Sequence, residues 1–153
     1  LEFNQVNQLN SKNRGGKTLV VVGGCFDILH SGHIKFLAAS KELGDYLTIF
    51  LESDQSVRRL KGEGRPINSQ RKRAENLISL DSVDYVIMLP TMENKDSDQL
   101  ILNLEPDIVA TTEGDENIIH KKRTAQLVNA NLVSLKRVKG FSTSGLLQKN
   151  NVR

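Results

Sequence analysis

Two histidines separated by two residues are the side chains best suited to chemistry in this sequence. His30 and His33 enclose a serine and Gly32, and they follow a short apolar run that ends in two glycines. At the start of a helix, free N–H groups and both imidazoles would face one point, which suits a phosphate. Two ordinary surface histidines would give the same pattern. Zinc is disfavoured, because only Cys25 and His120 remain as further ligands, at poor spacing.

Two basic segments further along the chain could also bind an anion. Residues 58–73 are rich in arginine and lysine and contain two glycines. They follow a predicted strand, so they should lie on the rim of the same site, although a run of charges is also typical of a solvated surface. Residues 137–144 form the second basic segment, where Ser142 is suited to cap a helix.

Alternating apolar and amphipathic segments predict the elements that position these residues. Strands are predicted at 18–22, 46–51, 83–89, 107–110 and 132–135, and helices at 31–43, 69–79, 96–104, 116–128 and 142–149. Residues 53–68 are predicted as a polar loop that could begin with a short helix. The alternation predicts an α/β fold with a doubly wound, five-stranded parallel sheet, which binds ligands at the carboxyl ends of its strands. Residues 1–16 are predicted as a polar tail or linker before a single domain at 17–153.

Composition limits the classes of protein that this chain can belong to. With 38% hydrophobic and 25% charged residues, the 153-residue chain is an ordinary globular domain. Its longest wholly apolar run, residues 19–22, is too short to cross a membrane, and no secretory signal is visible. A single cysteine indicates a reducing compartment, so we expect a cytoplasmic protein. A net charge of +3 suits small anions as well as nucleic acid and decides nothing alone. Few aromatic residues and the absence of a recognition motif disfavour nucleic acid as a partner.

The segment GGCFDILHSGHIKFL resembles the cytidylyltransferase-like nucleotidyltransferases, which carry a G-x-F-D and an H-x-G-H pattern after the first strand. The matching residues are Gly24, Phe26, Asp27, His30, Gly32 and His33. The resemblance covers residues 17–147. It implies a Rossmann-like fold and an enzyme that joins a nucleoside triphosphate to a phosphorylated or carboxylated acceptor with release of pyrophosphate.

The same resemblance implies roles for the residues of the first segment. His30 and His33 would bind the phosphates and stabilise charge on the leaving pyrophosphate, without a covalent intermediate or a general base. A Mg²⁺ ion would be held by the phosphates and water, with no metal-ligating residue of the chain. Asp27 would contact the substrate, or else stabilise a turn. The expected nucleotide-binding residues of this segment are Gly24, Cys25, Phe26 and Gly32; Cys25 is also expected to be a packed thiol.

The segment SDQSVRRLKGEGRPIN resembles bacterial heptose-phosphate adenylyltransferases, both free-standing and fused to a kinase. This resemblance implies that Lys61 reaches the phosphates, and that Arg65 and Arg73 serve the acceptor side. After the fourth strand, Asp115 matches a substrate-binding position. The neighbouring Thr112 and Glu113 depart from that family's lysine and glycine, so the acceptor pocket could differ.

Residues 137–143 instead resemble the R-T-E-G-I-S-T signature of glycerol-phosphate cytidylyltransferases. There Arg137, Ser142 and Thr143 would bind the nucleotide. We therefore expect ATP and D-glycero-D-manno-heptose 1-phosphate as substrates, with CTP and glycerol 3-phosphate or a related alcohol phosphate as the alternative. A non-catalytic nucleotide-binding module is disfavoured, because the histidines and Lys61 are all present. The resemblance also implies a homodimer and a sugar kinase, fused or separate, as partner.

Overall fold

A computed structural model describes residues 9–91 and 94–136, with residues 94–97 described by their backbone alone. The strands are β1 (Leu19–Gly24), β2 (Tyr46–Leu51), β3 (Tyr85–Met88), β4 (Ile108–Thr112) and β5 (Asn131–Leu135). The helices are α1 (Ser31–Lys41), α2 (Asp54–Lys61), α3 (Gln70–Ile78), α4 (Asn94–Leu104) and α5 (Ile118–Leu127). The strands form one parallel sheet in the order β3-β2-β1-β4-β5, which confirms the predicted doubly wound fold.

The central strand β1 is apolar on both faces because helices cover both sides of the sheet. Val20 and Val22 pack in a cluster with Leu37 of α1 and Leu77 of α3. Leu19 and Val21 belong to a second cluster, with Leu100, Ile101 and Leu104 of α4. The continuous apolar run at 19–22 is therefore the signature of a doubly covered strand.

Helix α2 occupies half of the segment that the sequence predicts mainly as a loop. Ser53 caps it, since the Ser53 hydroxyl accepts a hydrogen bond from the N–H of Ser56 at 3.1 Å. The helix ends at Gly62, whose φ of +95° suits glycine. The short helix that the sequence allowed at the start of this segment is thus eight residues long. The predicted closing helix at 142–149 lies outside the described residues.

Part of the predicted N-terminal tail is packed against the domain. Leu9 is buried in the cluster around α4, and Arg14 is only 6% exposed. The Arg14 guanidinium donates to the carbonyls of Leu104 and Glu105, at 2.9 and 2.8 Å, and pairs with Asp107 at 3.3 Å. Because the last carbonyls of a helix lack partners within it, Arg14 caps α4. Residues 9 and 14 of the predicted tail thus pack on the domain, and the boundary predicted at residue 16 stays a prediction.

The carboxyl ends of the strands are held together by side chains as well as by the sheet. Gln70 of α3 donates through Nε2 to the carbonyls of Leu51 and Leu89, at 3.1 and 2.8 Å. This amide fixes the chain just after β2 relative to the chain just after β3. Within the described ranges, no helix has the length and apolar character needed to span a bilayer.

Candidate active site at the carboxyl edge of the sheet

His30 is the N-cap of α1. Its Nδ1 accepts a hydrogen bond from the N–H of Gly32 at 3.1 Å, in the place where a serine or aspartate usually caps. Since Nδ1 accepts, the neutral ring carries its proton on Nε2. That Nε2 is buried and has no hydrogen-bond partner among the described residues. A buried donor without a partner next to a helix N-terminus is a ready site for an anion.

His33 lies against His30 on the first turn of the helix. The two rings stack with their centroids 3.8 Å apart and their planes inclined by 25°. The Nδ1 atom of His33 is also buried without a hydrogen-bond partner in the part of the chain that the structure describes. The sequence prediction that the two imidazoles lie together at a helix start is confirmed.

Both imidazoles are held in the neutral form. Burial, with smaller effects from the charges of His30 and Lys61, lowers the pKa of His33 from 6.5 to about 4, and the Ile28 carbonyl acts in the other direction. Burial also lowers the pKa of His30. An anion bound here would offset the burial and favour protonation, so the pair can take up positive charge when a phosphate arrives.

The loop between β1 and α1 is shaped by Phe26. This residue has a φ of +48°, and its ring meets the edge of His33 with the centroids 5.5 Å apart. A Cβ on Gly24 would lie 2.7 Å from the Phe26 ring. The glycine of the G-x-F-D pattern is therefore explained by packing. The predicted contacts of Gly24, Phe26 and Gly32 with a nucleotide stay predictions.

Asp27 holds the loop that follows α2. Its buried carboxylate accepts hydrogen bonds from the N–H groups of Ile67 and Asn68, at 2.7 and 2.8 Å, and from Nε of Arg65 at 2.9 Å. Although burial acts to raise the pKa of Asp27, these donors and the Arg65 charge lower it. The contacts favour the turn-stabilising role for Asp27 over the substrate contact, and they place Arg65 at the edge of the site.

Arg73 has no exposed surface and joins three segments around the site. Its guanidinium donates to the carbonyls of Cys25 and Asn68, at 2.8 and 3.1 Å, and pairs with Asp54 at 2.7 Å. Arg73 thus links the loop between β1 and α1, the start of α2 and the loop after α2. This enclosure favours a positioning role for Arg73 over the predicted contact with the acceptor.

Lys61 is the last residue of α2 and is exposed. Its charge acts on His33 and also on the Cys25 thiol, so it belongs to the same site as the histidines. Burial raises the pKa of Cys25 despite Lys61, so this thiol stays protonated near neutral pH and is unsuited to act as a nucleophile. The charge of Lys61 thus reaches His33, and the contact of Lys61 with the phosphates stays a prediction.

Asp115 uses its oxygens within its own loop, between β4 and α5. It accepts hydrogen bonds from the Thr111 hydroxyl at 2.7 Å and from the N–H of Asn117 at 2.8 Å, and it pairs with Lys121. These bonds order the start of α5. The substrate contact predicted for Asp115 stays a prediction, and Arg137, Ser142 and Thr143 lie outside the described residues.

Sequence reasoning missed Glu52 at this edge. Glu52 directly follows β2, and its N–H donates to the carbonyl of Gly24 at 3.1 Å. The charge of His120, to which the sequence assigned no role, acts on the Glu52 carboxyl. The available signal was position: the first residue after β2 must adjoin the end of β1 when the two strands pair in parallel.

The chain is similar to a known family and to curated proteins. The model of the family described as "Cytidylyltransferase-like" matches residues 21–148. The chain is 42% identical over 141 residues to "Bifunctional protein HldE" of Campylobacter concisus (strain 13826), which covers 89% of this chain and 28% of that protein. It is 44% identical over 135 residues to the protein of the same name from Campylobacter curvus (strain 525.92), covering 82% and 28%. The chain thus spans less than a third of the length of these relatives.

A solved structure is also similar. "Crystal structure of the lipopolysaccharide core biosynthesis protein from Thermoplasma volcanium GSS1" matches with a TM-score of 0.65 and 25% identity, over 81% of this chain and 98% of that one. The family match includes both histidines, Lys61 and every strand after the start of β1. The chain belongs to the cytidylyltransferase-like family of nucleotidyltransferases.

Proposed function

We propose that this chain transfers the adenylyl group of ATP to D-glycero-D-manno-heptose 1-phosphate and releases pyrophosphate. The observation that carries the transfer chemistry is the stacked pair of neutral, buried imidazoles at the N-terminus of α1. The heptose substrate is supported by the resemblance of residues 53–73 to heptose-phosphate adenylyltransferases. It is also supported by relatives named HldE and by similarity to a lipopolysaccharide core biosynthesis protein.

The proposed reaction needs little more than alignment and charge stabilisation. An oxygen of the acceptor phosphate attacks the α-phosphorus of the triphosphate, and the bond from that phosphorus to the bridging oxygen of pyrophosphate breaks. The acceptor phosphate is already an anion, so no general base is required. His30 would donate from Nε2 to the phosphate chain, with His33 and Lys61 beside it, where negative charge develops on the leaving group.

We propose that Mg²⁺ arrives with the substrate, is bound by phosphate oxygens and water, and neutralises the charge of the phosphates. Among residues 9–91 and 98–136, whose side chains are described, no group of three His, Cys, Asp or Glu side chains is placed to hold a metal. Since the relatives are bifunctional, we also propose that a sugar kinase, fused or separate, supplies the phosphorylated acceptor.

One observation favours a second candidate, a cytidylyltransferase for glycerol 3-phosphate or a related alcohol phosphate. Residues 137–143 resemble the signature of such enzymes. The loop at 112–115 also departs from the heptose pattern at Thr112 and Glu113. Both features concern substrate choice and leave the transfer chemistry unchanged.

The test is pyrophosphate release with Mg²⁺ from ATP, CTP, GTP or UTP, each paired with heptose 1-phosphate, glycerol 3-phosphate or phosphocholine. We expect release from ATP with heptose 1-phosphate, and loss of that activity in a His33→Gln variant. Release from CTP with glycerol 3-phosphate would favour the second candidate. No release from any pair would refute both.

A further inference from the structure

Glu52 is a half-buried carboxylate at the site that the proposed transfer chemistry does not use. Its backbone N–H binds the carbonyl of Gly24 at 3.1 Å, and Gly24 is paired with Leu51 across β1 and β2. Glu52 therefore adjoins the loop that leads to His30 and His33. A side chain in this position lies at the edge where parallel sheets bind ligands.

The surroundings of Glu52 are polar but do not neutralise it. The Ser56 hydroxyl bonds to the carboxyl, and the charges of His120, Arg59 and Arg73 act on it. Yet among residues 9–91 and 98–136 no basic side chain forms a salt bridge with Glu52, and Arg73 pairs with Asp54 instead. A carboxylate has room for about four hydrogen bonds, so Glu52 keeps capacity to accept more.

An ionised Glu52 works against folding. Burial raises the pKa of Glu52, so its charged form is less favourable in the folded chain than in the unfolded chain. A glutamine of the same shape would remove that penalty. A side chain that destabilises the free protein at a ligand-binding edge is typical of a residue that serves binding.

We propose that Glu52 binds hydroxyl groups of a polyol substrate and so helps to select the acceptor. This inference rests on the proposed function. A carboxylate accepts hydrogen bonds from hydroxyl groups and repels phosphate, whereas the two histidines and Lys61 attract phosphate. The site would then hold the phosphates of the substrates toward α1 and sugar hydroxyls toward Glu52. Such hydroxyls occur both on the acceptor sugar and on the ribose of the nucleotide.

The test compares Glu52→Gln with Glu42→Gln, which makes the same change on an exposed glutamate at the far end of α1. Steady-state kinetics would give KM for heptose 1-phosphate, ATP and 2′-deoxy-ATP. We expect Glu52→Gln to raise KM for heptose 1-phosphate about tenfold, because a charge-assisted hydrogen bond becomes a neutral one, with KM for ATP unchanged. A rise in KM for ATP instead, with loss of the preference over 2′-deoxy-ATP, would assign the hydroxyls to the ribose and overturn the role of Glu52 in selecting the acceptor.

A melting curve separates this role from a structural one. Glu52→Gln should melt at the same or a higher temperature than the unchanged protein, while its KM rises. Unchanged KM values, or a rise accompanied by a lower melting temperature, would overturn the inference. If the unchanged protein is inactive with every substrate pair, the proposed function fails. Calorimetric binding of heptose 1-phosphate to both variants would then decide the role of Glu52, since equal affinities would overturn it.

Discussion

Acid should destabilise the free protein through His33. Its pKa is lowered from 6.5 to about 4, mainly because the ring is buried and secondarily because of the charge of His30. Each tenfold change in proton affinity is worth about 1.4 kcal/mol, so this shift corresponds to at most about 3 kcal/mol. That energy is a substantial part of the stability of a domain of this size.

The direction of this pH dependence follows from which state of the chain, folded or unfolded, binds the proton more tightly. Between pH 6.5 and about 4, the unfolded chain binds a proton at His33 and the folded chain does not. The stability that the neutral His33 ring contributes is therefore fully present above pH 6.5 and falls as the pH drops toward 4. His30, whose pKa is also lowered, acts in the same direction, whereas the raised pKa of Glu52 acts in the opposite one. The total pH dependence thus mixes several groups, and the contribution of His33 must be isolated by a difference.

Urea unfolding of the unchanged protein and of a His33→Gln variant provides that difference. Between about pH 7.5 and pH 5, the unchanged protein should lose about 2 kcal/mol more of its free energy of unfolding than the variant loses. If the unchanged protein and His33→Gln lost the same free energy of unfolding, His33 would have the same pKa in the folded and the unfolded chain. That result would refute a buried, neutral imidazole.

Three other residues have distinct expected effects. Asp27→Asn should lower the free energy of unfolding in urea by about 3 kcal/mol, because the side-chain amide cannot accept hydrogen bonds from all three N–H donors. Its turnover should fall too; a stable, fully active variant would contradict the anchoring role. Arg14→Leu should also lower the free energy of unfolding in urea by about 3 kcal/mol, because the last carbonyls of α4 lose their donor, but it should not change kcat. Lys61→Ala should raise KM for the triphosphate about tenfold or more without changing the melting temperature; unchanged kinetics would leave Lys61 a solvated side chain.

The sheet could be predicted because its signals are local. Each buried strand is a short apolar run, and glycine or proline ends several of the runs. A parallel sheet then follows from the alternation with helices, and the location of the site follows from the sheet. The prediction of His30 and His33 at a helix start needed only this framework. The bounds of β2, at 46–51, were predicted to the residue.

The contacts of Asp27, Arg73 and Arg14 could not be predicted because their partners are mainly backbone groups. Asp27 accepts from two backbone N–H groups 40 and 41 residues away, and Arg14 donates to carbonyls 90 and 91 residues away. Any residue type can supply such groups, so no pattern of side chains marks them. In the sequence, Arg14 therefore looks like an ordinary surface charge.

The polar residues of the site divide by whether their hydrogen bonds are already made. Asp27 and Arg73 form their hydrogen bonds within the protein and make a rigid frame. Nε2 of His30 and Nδ1 of His33, in contrast, are buried without partners among the described residues. A missing partner alone does not mark a ligand site, since the Thr48 hydroxyl is also buried without one, inside β2. What distinguishes the histidines is their place at the carboxyl edge of the sheet and at a helix N-terminus. At this position a ligand can reach the two imidazoles and form the hydrogen bonds that they do not make within the protein.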